Sequence, residues 1–299
     1  MIMLLDPNNS KVKFNYNLAH LTWLKVGGPA EVFYRPDSLC QLQEFITNLP
    51  PQTPINTIGA GSNLLIRDGG VSGATVKLGG GFSHITLGQD FITVGAATLN
   101  YNLAHFCCQN SLQGFEFLIG IPGNIGGGIA MNAGAYGREF KDIVHSVKVL
   151  LLKQNVIVEL SNSDVGFYYR GNSLENVIFL EAKLRYEKGE QRQIKALMED
   201  INLKRKASQP ISEKTCGSTF ANPIGHKAWE LIERVGMRGS TLNNAQISNL
   251  HCNFLINKGS ASAQDLEDLA TLAQTKVLEQ CGVELKWEVK RLGKKIYDF

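Results

Sequence analysis

The run Gly120-Ile-Pro-Gly-Asn-Ile-Gly-Gly-Gly-Ile-Ala-Met-Asn-Ala-Gly-Ala-Tyr136 carries five glycines in its first nine residues. That much glycine makes an unsupported helix or strand costly in backbone entropy, so the surroundings must hold the segment in place. From Phe117 onward the region approaches membrane-spanning length. Its glycines, Pro122 and two asparagines are nevertheless unsuited to a lipid-exposed helix, and no membrane insertion is expected. Side-chain-poor backbone between apolar flanks suits a flat aromatic ligand packed on the main chain, with backbone amides offered to it. A tightly packed buried turn is the competing reading.

A second glycine loop, Gly59-Ala-Gly-Ser-Asn-Leu-Leu65, lies between two apolar runs. Residues without a Cβ let backbone approach a phosphate, consecutive turn amides form an anion nest, and Ser62 and Asn63 add donors. The loop is not the dinucleotide fingerprint, because Leu64 stands three residues after Gly61 and a β-like run follows instead of a helix. A plain strand-to-strand turn fits the segment equally well. Two such loops in neighbouring β-rich regions point to one elongated, phosphate-containing cofactor between them.

Outward from these loops the chain reads as α+β in three stretches. Residues 1–78 alternate short β-rich runs with one helix over Leu39–Leu49, capped by Asp37 or Ser38 and stopped by Pro50-Pro51. Residues 79–189 return to strands around a helix marked by Leu99, Leu103, Phe106 and Cys107. Residues 190–299 turn helical, with runs at Ile194–Ile201 and Ala228–Val235. A third helix runs from a Ser262-x-x-Asp265 capping box to Gly282, and a closing strand is expected over Val283–Val289.

Composition excludes several classes. With 299 residues, 43% hydrophobic and 19% charged, the chain reads as a soluble globular protein rather than a disordered or fibrous one. A net charge of +3, dispersed along the sequence, gives no case for nucleic acid. Six cysteines without a C-x-x-C pair read as reduced thiols, with no disulfide framework and no metal site. Met1–Asp6 lacks the basic start of a secretory signal, so a cytoplasmic protein is expected.

Taken together, Phe117–Gly137, Gly59–Leu65 and Thr22-Trp-Leu-Lys-Val-Gly-Gly28 resemble the UDP-N-acetylenolpyruvoylglucosamine reductase family. Tyr169-Arg170-x-x-Ser173, Gly217-Ser-Thr-Phe-Ala-Asn-Pro223 and Leu285-x-x-Glu288-Val-x-x-Leu-Gly293 extend the match in family order. The compact length looks like the shorter of the family's two types. The resemblance implies a two-lobed FAD-binding module of the p-cresol methylhydroxylase/vanillyl-alcohol oxidase type (1–78 and 79–189), followed by an α+β substrate-binding domain (190–299). It implies non-covalent FAD touching Gly59, Ala60, Gly61, Ser62, Asn63 and Leu64 in one loop. In the other it implies contacts with Pro122, Gly123, Ile125, Gly126, Ala133, Gly134 and Ala135. His84 and His105 read as ordinary histidines, not flavin linkages.

The implied reaction takes hydride from NADPH through FAD to the methylene carbon of UDP-N-acetylglucosamine enolpyruvate. A proton then adds to the carbon bearing the ether oxygen, giving UDP-N-acetylmuramate for peptidoglycan precursor synthesis. Charge develops beside the substrate carboxylate, and stabilising it is the protein's largest task. The family motifs map that task onto Arg170 as the cation, Ser218 as the proton donor and Glu288 as the residue stabilising or protonating the intermediate. Lys206 and Asn222 map onto substrate contacts. Without the resemblance, Arg170 reads as a surface arginine, Ser218 as a turn residue, Glu288 as part of a solvated strand face and Lys206 as a helix's basic last turn. Ala221, Asn243 and Leu21 depart from the family pattern, the second with an expected change of loop conformation. A flavin oxidase of a hydroxy acid or alcohol on the same fold is the alternative activity, and a monomer is expected.

Overall fold

The computed structural model describes residues 11–296, so the reading of Met1–Asp6 lies outside the described residues. The chain forms two compact units. The first takes in the chain through Lys13, Val32–Ala60 and Ala74–Lys204, and the second comprises Phe14–Glu31, Gly61–Gly73 and Arg205–Phe299. The first glycine loop is therefore divided: Gly59 and Ala60 belong to one unit, Gly61–Leu65 to the other.

In the first unit an antiparallel five-stranded sheet runs in the order Val156–Ser161, Val144–Leu151, Val177–Arg185, Phe91–Gly95, Ile85–Leu87. Alternation along Val177–Arg185 buries both faces. Ile178 and Leu180 pack with Val32, Leu42, Phe45 and Val76. Phe179, Ala182 and Leu184 pack with Ile92, Leu103, Ile125 and Phe140. The helix Leu39–Thr47 starts at Ser38, whose hydroxyl accepts from Gln41 N at 3.3 Å. Asp37, the other candidate cap, instead accepts from Gly80 N at 3.1 Å.

The glycine run corrects its own reading. Ile125–Ala130 is a helix despite Gly126, Gly127 and Gly128, with Asn124 as its cap accepting from Gly127 N at 3.3 Å. Its support is close approach. A Cβ on Gly128 would lie 2.3 Å from the Phe140 ring, and one on Gly126 would lie 3.0 Å from Ala96. These glycines serve packing against the protein's own core, which offsets the entropy they cost.

In the second unit a three-stranded antiparallel sheet, Thr241–Leu242, Ala245–Ile247 and Leu255–Asn257, packs with the helices Ala228–Arg234 and Ala263–Cys281. The capping box at Ser262 and Asp265 is present, and Gly282 closes the helix in the left-handed conformation at φ 67°. Asp68 adds a second cap, accepting from Ala263 N and Gln264 N, each at 3.0 Å. The strand expected over Val283–Val289 is corrected: the segment makes one bridge, Trp287 to Phe220, and a regular strand begins only at Lys290. Glu288 N and Val289 N both converge on Thr219 O, at 2.9 and 3.3 Å, and that convergence interrupts the ladder. Lys290–Leu292 then pairs parallel with Leu64–Ile66. Among the described residues, no helix is long and apolar enough to cross a membrane, no group of residues could hold a metal, and all six cysteines are free.

Candidate active site

The first unit brings one part of each glycine loop together. A Cβ on Gly59 would lie 2.4 Å from Asn124 Oδ1, so the start of the first loop sits directly against the start of the glycine helix. Lys77 Nζ donates to the Gly59 carbonyl. Burial, with a smaller contribution from Arg35, lowers the Lys77 pKa below the ordinary lysine value. Sequence reading missed Lys77; its only signal was a lysine ending the β-rich run that follows the loop.

Further along, Ile125 N donates to Thr98 O and Gly126 N to Ala96 O, each at 2.9 Å. The side chain of Ile125 is fully buried in the core. The amides of both residues are thus engaged within the protein, and Ile125 exposes no surface of its own. Gly134 and Ala135 pair with Glu139 and Arg138 in a tight hairpin turned by Tyr136 and Gly137 at φ 53° and 79°. Ala133 precedes this hairpin, and Pro122 and Gly123, the latter at φ 126°, precede the helix cap.

Arg170 is half-buried in the same unit and stands in the left-handed region at φ 63°. Its turn is closed by Gly171 N donating to Tyr168 O at 3.2 Å. Its guanidinium lies 5.1 Å from the Tyr169 ring centroid, and Nη1 is 3.3 Å from where a Cβ on Gly134 would stand. A non-glycine residue held left-handed costs about 1 kcal/mol or more and is typical of functional positions. Asn132 fastens the two segments, its Nδ2 donating to Tyr168 O at 3.0 Å and to Glu139 Oε2 at 2.7 Å. Tyr168 and Tyr169 are themselves exposed. His84 pairs with Glu181 at 3.0 Å, and His105 packs on Tyr101.

The second unit assembles Ser218, Glu288 and the remainder of the first loop. Ser218 forms a bridge with Phe254, Phe220 with Trp287, and Ala221 N donates to Lys286 O at 2.8 Å. With Thr219 O receiving Glu288 N, the Ser218 segment and the Glu288 segment lie side by side. Both residues are half-buried. Asn63 joins them: its Nδ2 donates to Glu288 O at 3.3 Å, and its carbonyl accepts from Lys290 N at 3.1 Å. Gly61, at φ 73°, accepts from Trp23 N at 3.1 Å, and a Cβ there would lie 2.1 Å from Leu21 O. Ser62 is half-buried between Gly61 and Asn63, and Leu64 opens the strand paired with Lys290.

Burial pushes the Cys216 thiol up to about 12, so this neighbour of Ser218 stays protonated at neutral pH and supplies no thiolate. Lys206 is exposed in the last turn of the helix Gln191–Ser208. Asn222 uses its Oδ1 to accept from Ala228 N at 3.0 Å at the start of the next helix. Asn243 stands in a left-handed conformation at φ 50° and donates to Asp265 Oδ1 at 2.7 Å. Asparagine is among the residues that tolerate that region.

Comparison with known proteins supplies an independent view. The profile described as UDP-N-acetylenolpyruvoylglucosamine reductase, C-terminal domain, matches residues 209–292, and that of an FAD binding domain matches residues 30–161. The chain is 49% identical over 294 residues to the UDP-N-acetylenolpyruvoylglucosamine reductase of Rickettsia massiliae, covering 98% of this chain and 99% of the relative. It is 50% identical over 283 residues to that of Rickettsia prowazekii, covering 94% and 96%. The crystal structure of UDP-N-acetylenolpyruvylglucosamine reductase from Thermus caldophilus superposes with a TM-score of 0.82 at 30% identity, covering 94% of this chain and 98% of that one.

Proposed function

Because the chain belongs to the UDP-N-acetylenolpyruvoylglucosamine reductase family, we propose that it reduces UDP-N-acetylglucosamine enolpyruvate to UDP-N-acetylmuramate with FAD and NADPH. The observation carrying this reading is the adjacency of the Ser218 and Glu288 segments through Glu288 N and Thr219 O at 2.9 Å. That bond brings a hydroxyl and a carboxyl from distant stretches of sequence to neighbouring backbone.

The first unit's residues fit the cofactor. Gly59 lies against the capping side chain of Asn124 at the start of the glycine helix, and Lys77 supplies a cation for a diphosphate. Gly59, Ala60, Gly61, Ser62, Asn63, Leu64, Pro122, Gly123, Ile125, Gly126, Ala133, Gly134 and Ala135 are the proposed lining. When bound, FAD supplies the hydride relay from NADPH to the substrate's methylene carbon.

The chain's own work is to bind, orient and move a proton. Arg170 presents a planar fork to the substrate carboxylate and stabilises the charge that develops beside it. Ser218 gives its hydroxyl proton to the carbon bearing the ether oxygen, and Glu288 stabilises the intermediate from the adjacent segment. Lys206 contributes charge toward the diphosphate, and Asn222, its Oδ1 engaged by Ala228 N, offers its Nδ2 to the substrate. We assign residues 1–78 and 79–189 to cofactor binding and 190–299 to substrate binding, in a cytoplasmic monomer serving peptidoglycan synthesis and hence cell division. The high identity to reductases over nearly the full chain disfavours the oxidase reading.

The test is turnover of purified enzyme with NADPH and the enolpyruvyl substrate, with the product identified by mass. A lactyl ether formed in step with NADPH oxidation supports the proposal. NADPH oxidation that needs oxygen and leaves the enol ether intact rejects it.

A further inference from the structure

Asn253 is buried at 4% exposure and touches the Ser218 segment through three hydrogen bonds. Its Oδ1 accepts from Phe220 N at 3.0 Å, its Nδ2 donates to Phe220 O at 2.8 Å, and its carbonyl accepts from Thr219 N at 2.7 Å. A side-chain amide paired with both backbone groups of one residue imitates a strand neighbour, and here it does so where no regular ladder exists. On its other side Thr219 accepts Glu288 N and Val289 N. The Ser218–Phe220 segment is thus clamped between Asn253 and the Glu288 segment, with Phe254, next to Asn253, bridged to Ser218 itself.

Such a clamp has a direct consequence for chemistry. A proton donor works only when held within a fraction of an ångström of the reacting atom, and a shift of about 1 Å costs on the order of 100-fold in rate. Nothing in the Asn253 side chain suits it to reaction, since both of its polar ends are occupied by Phe220. We propose that Asn253 is a positioning residue that sets the Ser218 hydroxyl relative to Glu288 for the protonation step, an inference resting on the function proposed above.

The replacement Asn253→Asp gives a readout that a merely structural role does not move. The carboxylate still accepts from Phe220 N, but its second oxygen faces the Phe220 carbonyl and repels it. Protonated, that oxygen donates and rebuilds the clamp. Burial and the facing carbonyl raise the pKa of the introduced acid, so restoration occurs as pH falls. The titratable groups around the position are His251, whose Nδ1 accepts from Asn253 N at 3.3 Å, Cys252 beside it, Cys216, and Glu288 beyond Thr219. All four are present in the parent enzyme, so the ratio of variant to parent at each pH isolates the introduced acid.

The experiment is anaerobic single-turnover reoxidation of NADPH-reduced enzyme by the enolpyruvyl substrate, with rate constants taken per bound flavin from pH 5.5 to 8.5. In Asn253→Asp we expect reoxidation at pH 8 to be slowed by ~10–100-fold and to recover toward the parent at acid pH, while flavin reduction by NADPH changes less than about twofold. Asn253→Ser, which loses at least one of the two side-chain bonds, should be slowed at every pH without recovery. Equal slowing of both half-reactions, a pH-independent ratio in Asn253→Asp, or loss of bound flavin in both variants would overturn the inference. A parent enzyme that the substrate fails to reoxidise would instead reject the proposed function itself.

Discussion

Asn63 donates from its side-chain amide to the carbonyl of Glu288 at 3.3 Å, across 225 residues of sequence. The bond joins the first glycine loop to the segment carrying the proposed acid, and Lys290 N returns to Asn63 O at 3.1 Å. The Gly61–Leu65 part of the loop and the Glu288 segment are therefore held together within the second unit. Asn63→Ala should lower stability by about 1 kcal/mol, the usual worth of one hydrogen bond. It should also slow substrate-dependent flavin reoxidation, because Glu288 loses a tether. A thermal melt together with stopped-flow reoxidation checks both; an unchanged reoxidation rate would separate the loop from the acid.

Ser218→Ala should leave flavin reduction by NADPH intact and slow reoxidation by the enolpyruvyl substrate by ~10²–10⁴-fold, the range for loss of a positioned proton donor. Stopped-flow measurement of the two half-reactions distinguishes this from general damage, which slows both.

Arg170 stands left-handed at φ 63°, where a Cβ is unfavourable. Arg170→Gly and Arg170→Ala should both abolish reoxidation, yet the glycine variant should be more stable than the alanine variant by about 1 kcal/mol. Denaturant midpoints of the two holoenzymes give the comparison. Equal midpoints would mean that the turn relaxes once the guanidinium is gone.

Glu267 is buried and accepts from Arg67 through Nε at 3.1 and 3.2 Å and Nη2 at 3.1 Å, with Arg291 Nη1 at 3.5 Å. Glu267→Gln leaves two partly exposed arginines facing a neutral amide and should destabilise the protein by about 1.5–3 kcal/mol, the range for hydrogen bonds to a charged group. The helix Ala263–Cys281 carries Glu267, so the loss should appear as a large drop in melting temperature, whereas a change under about 1 kcal/mol would show the pair to be well solvated.

His251 packs against Phe254 and near Trp229, and burial lowers its pKa below the usual histidine value. The folded state then holds fewer protons than the unfolded chain in the window below about 6.5, so stability is full above that pH and falls as pH drops through it. His251→Gln should flatten this slope. Chemical denaturation between pH 5 and 8 measures it, and equal slopes for parent and variant would contradict the assignment.

The helices were legible because their ends are chemical and local. Ser38, the Ser262 and Asp265 box and Gly282 act within one turn of the residues they cap. The α+β character followed from the same local signals, whereas the two-lobed FAD-binding type came from the family resemblance. The helix Ile125–Ala130 was not legible, because its stability comes from Ala96 and Phe140, which sequence spacing cannot place against glycine. The closing segment fooled a period-2 pattern for a related reason: Leu285 and Val289 are buried as alternation expects, but the partner backbone at Thr219 is irregular. Arg170, Ser218 and Glu288 came from motif resemblance, whereas Lys77 and Asn253 carry no motif and become visible only through the backbone groups they hold.

The most direct measurement is the visible absorption of the purified enzyme under anaerobic conditions, first with NADPH and then with UDP-N-acetylglucosamine enolpyruvate. The account predicts a flavin band that NADPH bleaches and that one equivalent of the enolpyruvyl substrate restores. A bleached flavin that stays bleached until oxygen is admitted would contradict it.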